Sequence, residues 1–186
     1  ERDVRLLREL ITTKLDLEMA ATEEIIKIAC DIGPELATIV PEKRLELTTE
    51  GGVNVLDNIT LMKNTIEELH KYDIEVSLFI EPDIKQIDAA AEIKSDYIEI
   101  HTGVFANALS EEEQFDELDK IRVAVKHAKK LGLGVNAGHG LDYQNIKIFR
   151  ELTDIDEVSI GHSIIARAVF VGLKQAIQEM FDLIKK

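Results

Sequence analysis

Cysteine occurs once in the 186 residues, at Cys30, so no disulfide can form within the chain. That usage fits a reducing compartment and a cytoplasmic location. Cys30 falls in a helical stretch with no basic neighbour in sequence, which predicts a buried, unreactive thiol. Tryptophan is absent, and no stretch is long and apolar enough to cross a bilayer. No signal-peptide pattern is visible. Lysine and arginine number 22 against 36 acidic residues, a formal charge of −14. The basic footprint of a nucleic-acid binder is therefore missing, and an anionic membrane surface is a poor partner. An anionic substrate must be held by local devices, backbone amides and a few cations, against the overall field. No zinc spacing of the HExxH kind occurs, so no metal site is expected. No internal repeat, linker or low-complexity segment stands out.

What is present reads as one domain over residues 1–186, with 45% hydrophobic and 31% charged residues. Short β-like runs at 15–20, 36–40, 74–80, 97–101, 134–137 and 157–160 alternate with helical stretches at 2–11, 22–32, 55–72, 82–93, 111–131, 143–152 and 164–184. Ser110 with Glu113 forms a capping box, and Pro82 suits the first turn of its helix. Gly33-Pro34 and Gly132 end two others. Six βα units in a row without a hairpin signal predict a parallel sheet covered by helices. The choice lies between an open doubly wound sheet and a (β/α)8 barrel. Strands such as Ile98-Glu99-Ile100-His101 alternate apolar with polar residues, and no glycine-rich dinucleotide fingerprint follows any strand. Both features favour the barrel, with six of its eight units present. The chain begins at Glu1 and runs straight into a helical pattern, so further residues are expected upstream.

In either architecture the active site lies at the C-terminal ends of the strands. Two Gly-His pairs fall there, in Gly138-His139-Gly140 and Gly161-His162-Ser163. Glycine admits an anion close to the backbone, and imidazole exchanges protons near neutrality. Glu18, between Leu17 and Met19, is expected to be buried in the barrel interior, where desolvation would raise its pKa toward that of a working acid or base; Glu99 shows the same pattern. His101 shares the face of Glu99 and is either a satisfied core histidine or part of the site. His139, between two glycines, is expected to be an exposed, mobile proton donor. Gly140, Gly161 and His162 are expected to hold a phosphate at the start of a short helix near Ser163, for which Ser163 is alternatively a plain cap. Lys43 and Arg44 are either anion ligands or a solvated turn. His70 and His127 are expected on solvent-facing helix surfaces.

Leu17-Glu18-Met19-Ala20, Val40-Pro41-Glu42-Lys43-Arg44, Thr48-Thr49-Glu50-Gly51-Gly52, Ile98-Glu99-Ile100-His101-Thr102-Gly103, Val135-Asn136-Ala137-Gly138-His139-Gly140-Leu141 and Ile160-Gly161-His162 together resemble the pyridoxine 5′-phosphate synthase family, in its order and spacing. The resemblance implies a (β/α)8 TIM barrel that condenses 3-amino-2-oxopropyl phosphate with 1-deoxy-D-xylulose 5-phosphate. It releases pyridoxine 5′-phosphate, phosphate and water. It implies Glu18 as proton acceptor, His139 as proton donor and Glu99 as transition-state stabiliser. Thr48 would contact the deoxyxylulose phosphate, while Gly140, Gly161 and His162 would hold the aminoketone phosphate. It further implies catalysis without metal or organic cofactor, and a homo-octamer. The family also carries about one and a half βα units before the position of Glu1, with the first two strands and a second proton acceptor. The 186-residue chain alone is therefore expected to be inactive and poorly soluble. The alternatives are another phosphate-binding barrel, an isomerase or aldolase, or a catalytically dead barrel fragment.

Overall fold

A computed structural model describes residues 1–42 and 51–185. The elements alternate as the sequence pattern requires: α1 (Arg2–Leu10), β1 (Asp16–Met19), α2 (Glu23–Ile32), β2 (Leu36–Ile39), α3 (Ile59–His70), β3 (Glu75–Ile80), α4 (Ile84–Glu92) and β4 (Tyr97–His101). Then follow α5 (Gly103–Ala106), α6 (Glu111–Lys130), β5 (Gly134–Gly138), α7 (Ile146–Phe149), β6 (Glu157–Ser159), α8 (His162–Val171) and α9 (Leu173–Ile184). The strands lie in sequence order and every neighbouring pair is parallel. An order that never reverses has no switch point, which distinguishes this sheet from a doubly wound one. The sheet curls into a half-barrel. Lys14, just before β1, reaches Glu157 at the start of β6 at 2.6 Å, and its ammonium lies 5.8 Å from the centre of the Tyr97 ring on β4.

Alternation along each strand divides the sheet into an apolar outer face and a polar inner one. Ile39, Val76, Leu78, Ile80, Ile98, Ile100, Val135 and Ala137 are fully buried in the apolar core. Each such large side chain contributes roughly 1.5–3 kcal/mol on burial. Thr38, Ser77, Glu99, His101 and Asn136 are buried polar residues on the other face, where Thr38 donates to Asp16 at 2.8 Å. Two glycines of β5 make room for large residues of β4. A Cβ at Gly134 would lie 2.0 Å from the Tyr97 ring, and one at Gly138 would lie 2.1 Å from the Glu99 carboxylate.

A clamp recurs at the lower rim. The acid directly before β2, β4 and β6 accepts the backbone N–H opposite it on the preceding strand: Glu35 from Leu15 at 2.7 Å, Asp96 from Val76 at 2.8 Å, and Asp156 from Val135 at 2.7 Å. Each acid also holds a basic side chain from the last turn of the helix that leads into β1, β3 or β5, namely Arg8 of α1, His70 of α3 and Lys129 of α6. The junctions before β3 and β5 carry buried Ile74 and Leu133 instead. The half-barrel thus repeats every two βα units. The sequence hides this because the residue types differ from one copy to the next.

Several boundaries depart from expectation. The helix expected at 55–72 begins at Ile59, and the one expected at 143–152 shrinks to the single turn of α7. Gly172, at φ 84°, breaks the last helix into α8 and α9, a left-handed conformation that glycine adopts without strain. Helix α5 was not expected. Pro82 stands ahead of α4, whose cap is Asp83, accepting from Lys85 N–H at 2.8 Å. Cys30 is half-buried rather than buried, and that desolvation pushes its thiol above the usual range.

Candidate active site

The upper end of the half-barrel opens into a cleft of about 700 Å³. It gathers Glu18 from β1, Glu99 from β4, His139 and Gly140 from the end of β5, and Gly161 and His162 from the start of α8. Six of the seven residues singled out from sequence therefore line one space. Thr48, with Lys43 and Arg44, lies outside the described residues.

Glu99 is 3% exposed, and its carboxylate sits over Gly138, where a side chain would displace it. Ser159 on β6 donates to it at 3.0 Å. A buried carboxylate left without such donors is costly. Glu18 departs from expectation: it is exposed rather than buried. The reason is its position on β1, an outer strand of the described sheet, whose inner face looks across the open cleft.

His139 is exposed, as expected, but its backbone is constrained: φ is 75°, unusual for a residue with a Cβ. Gly140 follows at φ 81°, and a Cβ there would also lie 2.6 Å from that of Ala106. The start of α8 has no side-chain cap. Gly161 is its N-cap and supplies no side chain to the free N–H groups of the first turn. Ser163 does not cap it; its hydroxyl donates to the carbonyl of Leu141 at 3.0 Å, tying α8 to the loop after β5.

His101 belongs to the core, 3% exposed. Its Nδ1 lies 2.7 Å from Glu81, which also accepts the Gly52 N–H at 3.1 Å. Burial pushes the Glu81 carboxyl up, but His101 and the Gly52 N–H outweigh it and hold the group below the usual carboxylate range. The His101 ring packs 5.1 Å, centre to centre, from both Phe79 and His139. His70 and His127 pair with Asp96 and Asp88 on the outer surface.

Phe79 and Ser159 line the cleft and were missed from sequence. Alternation would have found them, since each lies on the inner face of its strand, two residues from a polar or glycine neighbour there. Glu81 was missed although it immediately follows β3, where the strand-end rule applies.

Comparison with known proteins places this geometry. The profile of the family described as "Pyridoxal phosphate biosynthesis protein PdxJ" matches residues 1–186. A pyridoxine 5′-phosphate synthase of Geotalea daltonii is 52% identical over 185 residues, covering 100% of this chain and 77% of the relative. One of Chlorobium phaeobacteroides is 54% identical over 183 residues, covering 98% and 78%. One of Syntrophobacter fumaroxidans is 49% identical over 184 residues, covering 99% and 77%. With the profile spanning the whole chain and half of all positions identical, the chain belongs to the pyridoxal phosphate biosynthesis protein PdxJ family.

Proposed function

We propose that the protein is a pyridoxine 5′-phosphate synthase, joining 3-amino-2-oxopropyl phosphate to 1-deoxy-D-xylulose 5-phosphate. The observation that carries this is the cleft itself. In a chain half identical to such synthases, it brings the Glu18 and Glu99 carboxylates and the His139 imidazole into one space with the uncapped N-terminus of α8. Imine formation, dehydration, loss of phosphate and ring closure are proton transfers beside carbonyl groups, within the reach of carboxylates and imidazole. Glu18 takes a proton from the bound substrate, His139 returns one, and Glu99, oriented by Ser159, stabilises positive charge that develops between them. Gly140, Gly161 and His162 hold the aminoketone phosphate, and Thr48 contacts the deoxyxylulose phosphate. A Schiff-base aldolase is disfavoured because no lysine lines the cleft among the described residues.

The outer edges of β1 and β6 are unpaired among the described strands. Our reading is that two further βα units close the sheet into a (β/α)8 barrel and cover Glu18. Large exposed apolar residues such as Val169 and Phe170 suit the contacts of a homo-octamer in the cytoplasm. Mixing both substrates with the full-length protein and following pyridoxine 5′-phosphate by mass spectrometry tests the activity. Absence of product, together with a borohydride-trapped lysine adduct, would favour the aldolase. Light scattering tests the assembly.

A further inference from the structure

We propose that Thr102 is a positioning residue for His139, forming with His101 and Gly103 a seat that holds the proton donor in its left-handed backbone conformation. This rests on the role given to His139 above. Thr102 is the N-cap of α5, a position where a threonine hydroxyl ordinarily accepts a helix N–H, yet it makes no such bond. Fully buried, it turns across to β5 instead. Its Oγ1 lies 2.8 Å from the Gly138 carbonyl and 2.6 Å from the His139 carbonyl. A hydroxyl has a single proton to give. The Gly138 carbonyl already receives the Thr102 backbone N–H at 2.9 Å, and the His139 carbonyl is the nearer acceptor of the hydroxyl, which the two carbonyls share. The next carbonyl, of Gly140, is taken by Asn145 Nδ2 at 3.0 Å. Three successive carbonyls are thus captured on the protein side, across the residue with φ 75°. Strain of this kind persists only where the surroundings over-determine it.

The neighbours of Thr102 complete the seat. The His101 ring lies against the His139 ring, and Gly103 is the floor under both. A Cβ at Gly103 would come 2.5 Å from His101 Nε2 and 3.3 Å from His139 Cδ2. His101 is itself braced by Glu81 and Phe79. The tripeptide that ends β4 therefore fixes both the main chain and the ring of His139.

The test compares Thr102→Val, which keeps the shape and loses the hydroxyl, with Thr102→Ser, which keeps the hydroxyl. We expect Thr102→Val to lower kcat by about 10- to 100-fold, the usual effect of misplacing a reacting group, with KM for the aminoketone phosphate changed less than about threefold. Thr102→Ser should restore most of the rate. In histidine-labelled protein, assigned by loss of the signal in His139→Gln, the His139 ring resonance should move in Thr102→Val and return in Thr102→Ser. A folded Thr102→Val with unchanged kcat and an unmoved resonance overturns the proposal, and so does a Thr102→Ser variant as slow as Thr102→Val. If Thr102→Val does not fold, Gly103→Ala decides: the His139 resonance must move, and an unchanged one overturns the seat. Because the resonance is read without turnover, a wild-type protein that makes no product rejects the synthase reading and leaves this test intact.

Discussion

At the scale of single residues, the cleft divides into groups to which we assign chemistry and glycines that make space for them. Glu18→Gln keeps the shape and removes the proposed proton acceptor, so turnover should fall by about 10²–10⁴-fold; a steady-state assay showing near-normal kcat would reject that role. Gly161 offers a cleaner probe of the proposed phosphate site. A Cβ there meets nothing within 4 Å, so Gly161→Leu should leave the fold intact while adding bulk to the cleft lining at the N-cap of α8. Thermal melting should be nearly unchanged and binding of the aminoketone phosphate, measured calorimetrically, should be lost. Retained binding would place the phosphate elsewhere. Glu99 and His139 were legible from sequence because a polar residue near a strand end has few other uses in this class of fold. The service of Gly138 to Glu99 was not, since it depends on which residue of β4 leans over β5.

At the scale of elements, the outer face of the sheet carries the packing and the lower rim carries the clamps. Ile100, fully buried in the core, should cost about 2–5 kcal/mol when cut to alanine, read as a lowered urea midpoint. Asp96→Ala leaves the Val76 N–H and His70 without their acceptor and should cost about 1 kcal/mol, since water reaches this rim. The Glu35 clamp predicts a pH dependence. The Arg8 side chain and the Leu15 N–H lower its carboxyl from 4.5 to about 2. Folded-state depression means that the stabilisation is fully present above the unfolded value and fades as pH falls through this window. Glu35→Gln should therefore flatten the dependence of stability on pH between 4.5 and about 2 relative to wild type; parallel curves would show that the clamp contributes nothing.

At the scale of the whole molecule, Glu81, Asp156 and Glu179 are also held below their usual range. Burial opposes this in Glu81 and Asp156, whereas the Arg167 hydrogen bond leads it in Glu179. Acid should accordingly unfold the protein more readily than mild base. The edges of β1 and β6, unpaired among the described strands, and the exposed Val169 and Phe170 make a second expectation. Residues 1–186 expressed by themselves should be poorly soluble and inactive, because unpaired parallel edges template aggregation and Glu18 stays open to water. A soluble, active 186-residue protein would require the site to work as an open cleft.

The alternation of strands with helices, the parallel sheet and the two-faced strands were determined by the sequence alone. They follow from local periodicity and from glycine and capping signals, which act within a few residues; β4 falls at 97–101 in both sequence and structure. Only the tertiary structure decided what depends on residues far apart in the chain. Curvature brings Lys14 to Glu157 across 143 positions. The clamps join β1 to β2, β3 to β4 and β5 to β6. The break at Gly172 depends on α8 and α9 folding back on one another. Thr102 shows the division most plainly. Its sequence context says helix cap, and only the arrival of β5 beside it, with two carbonyls in reach, turns its hydroxyl toward His139.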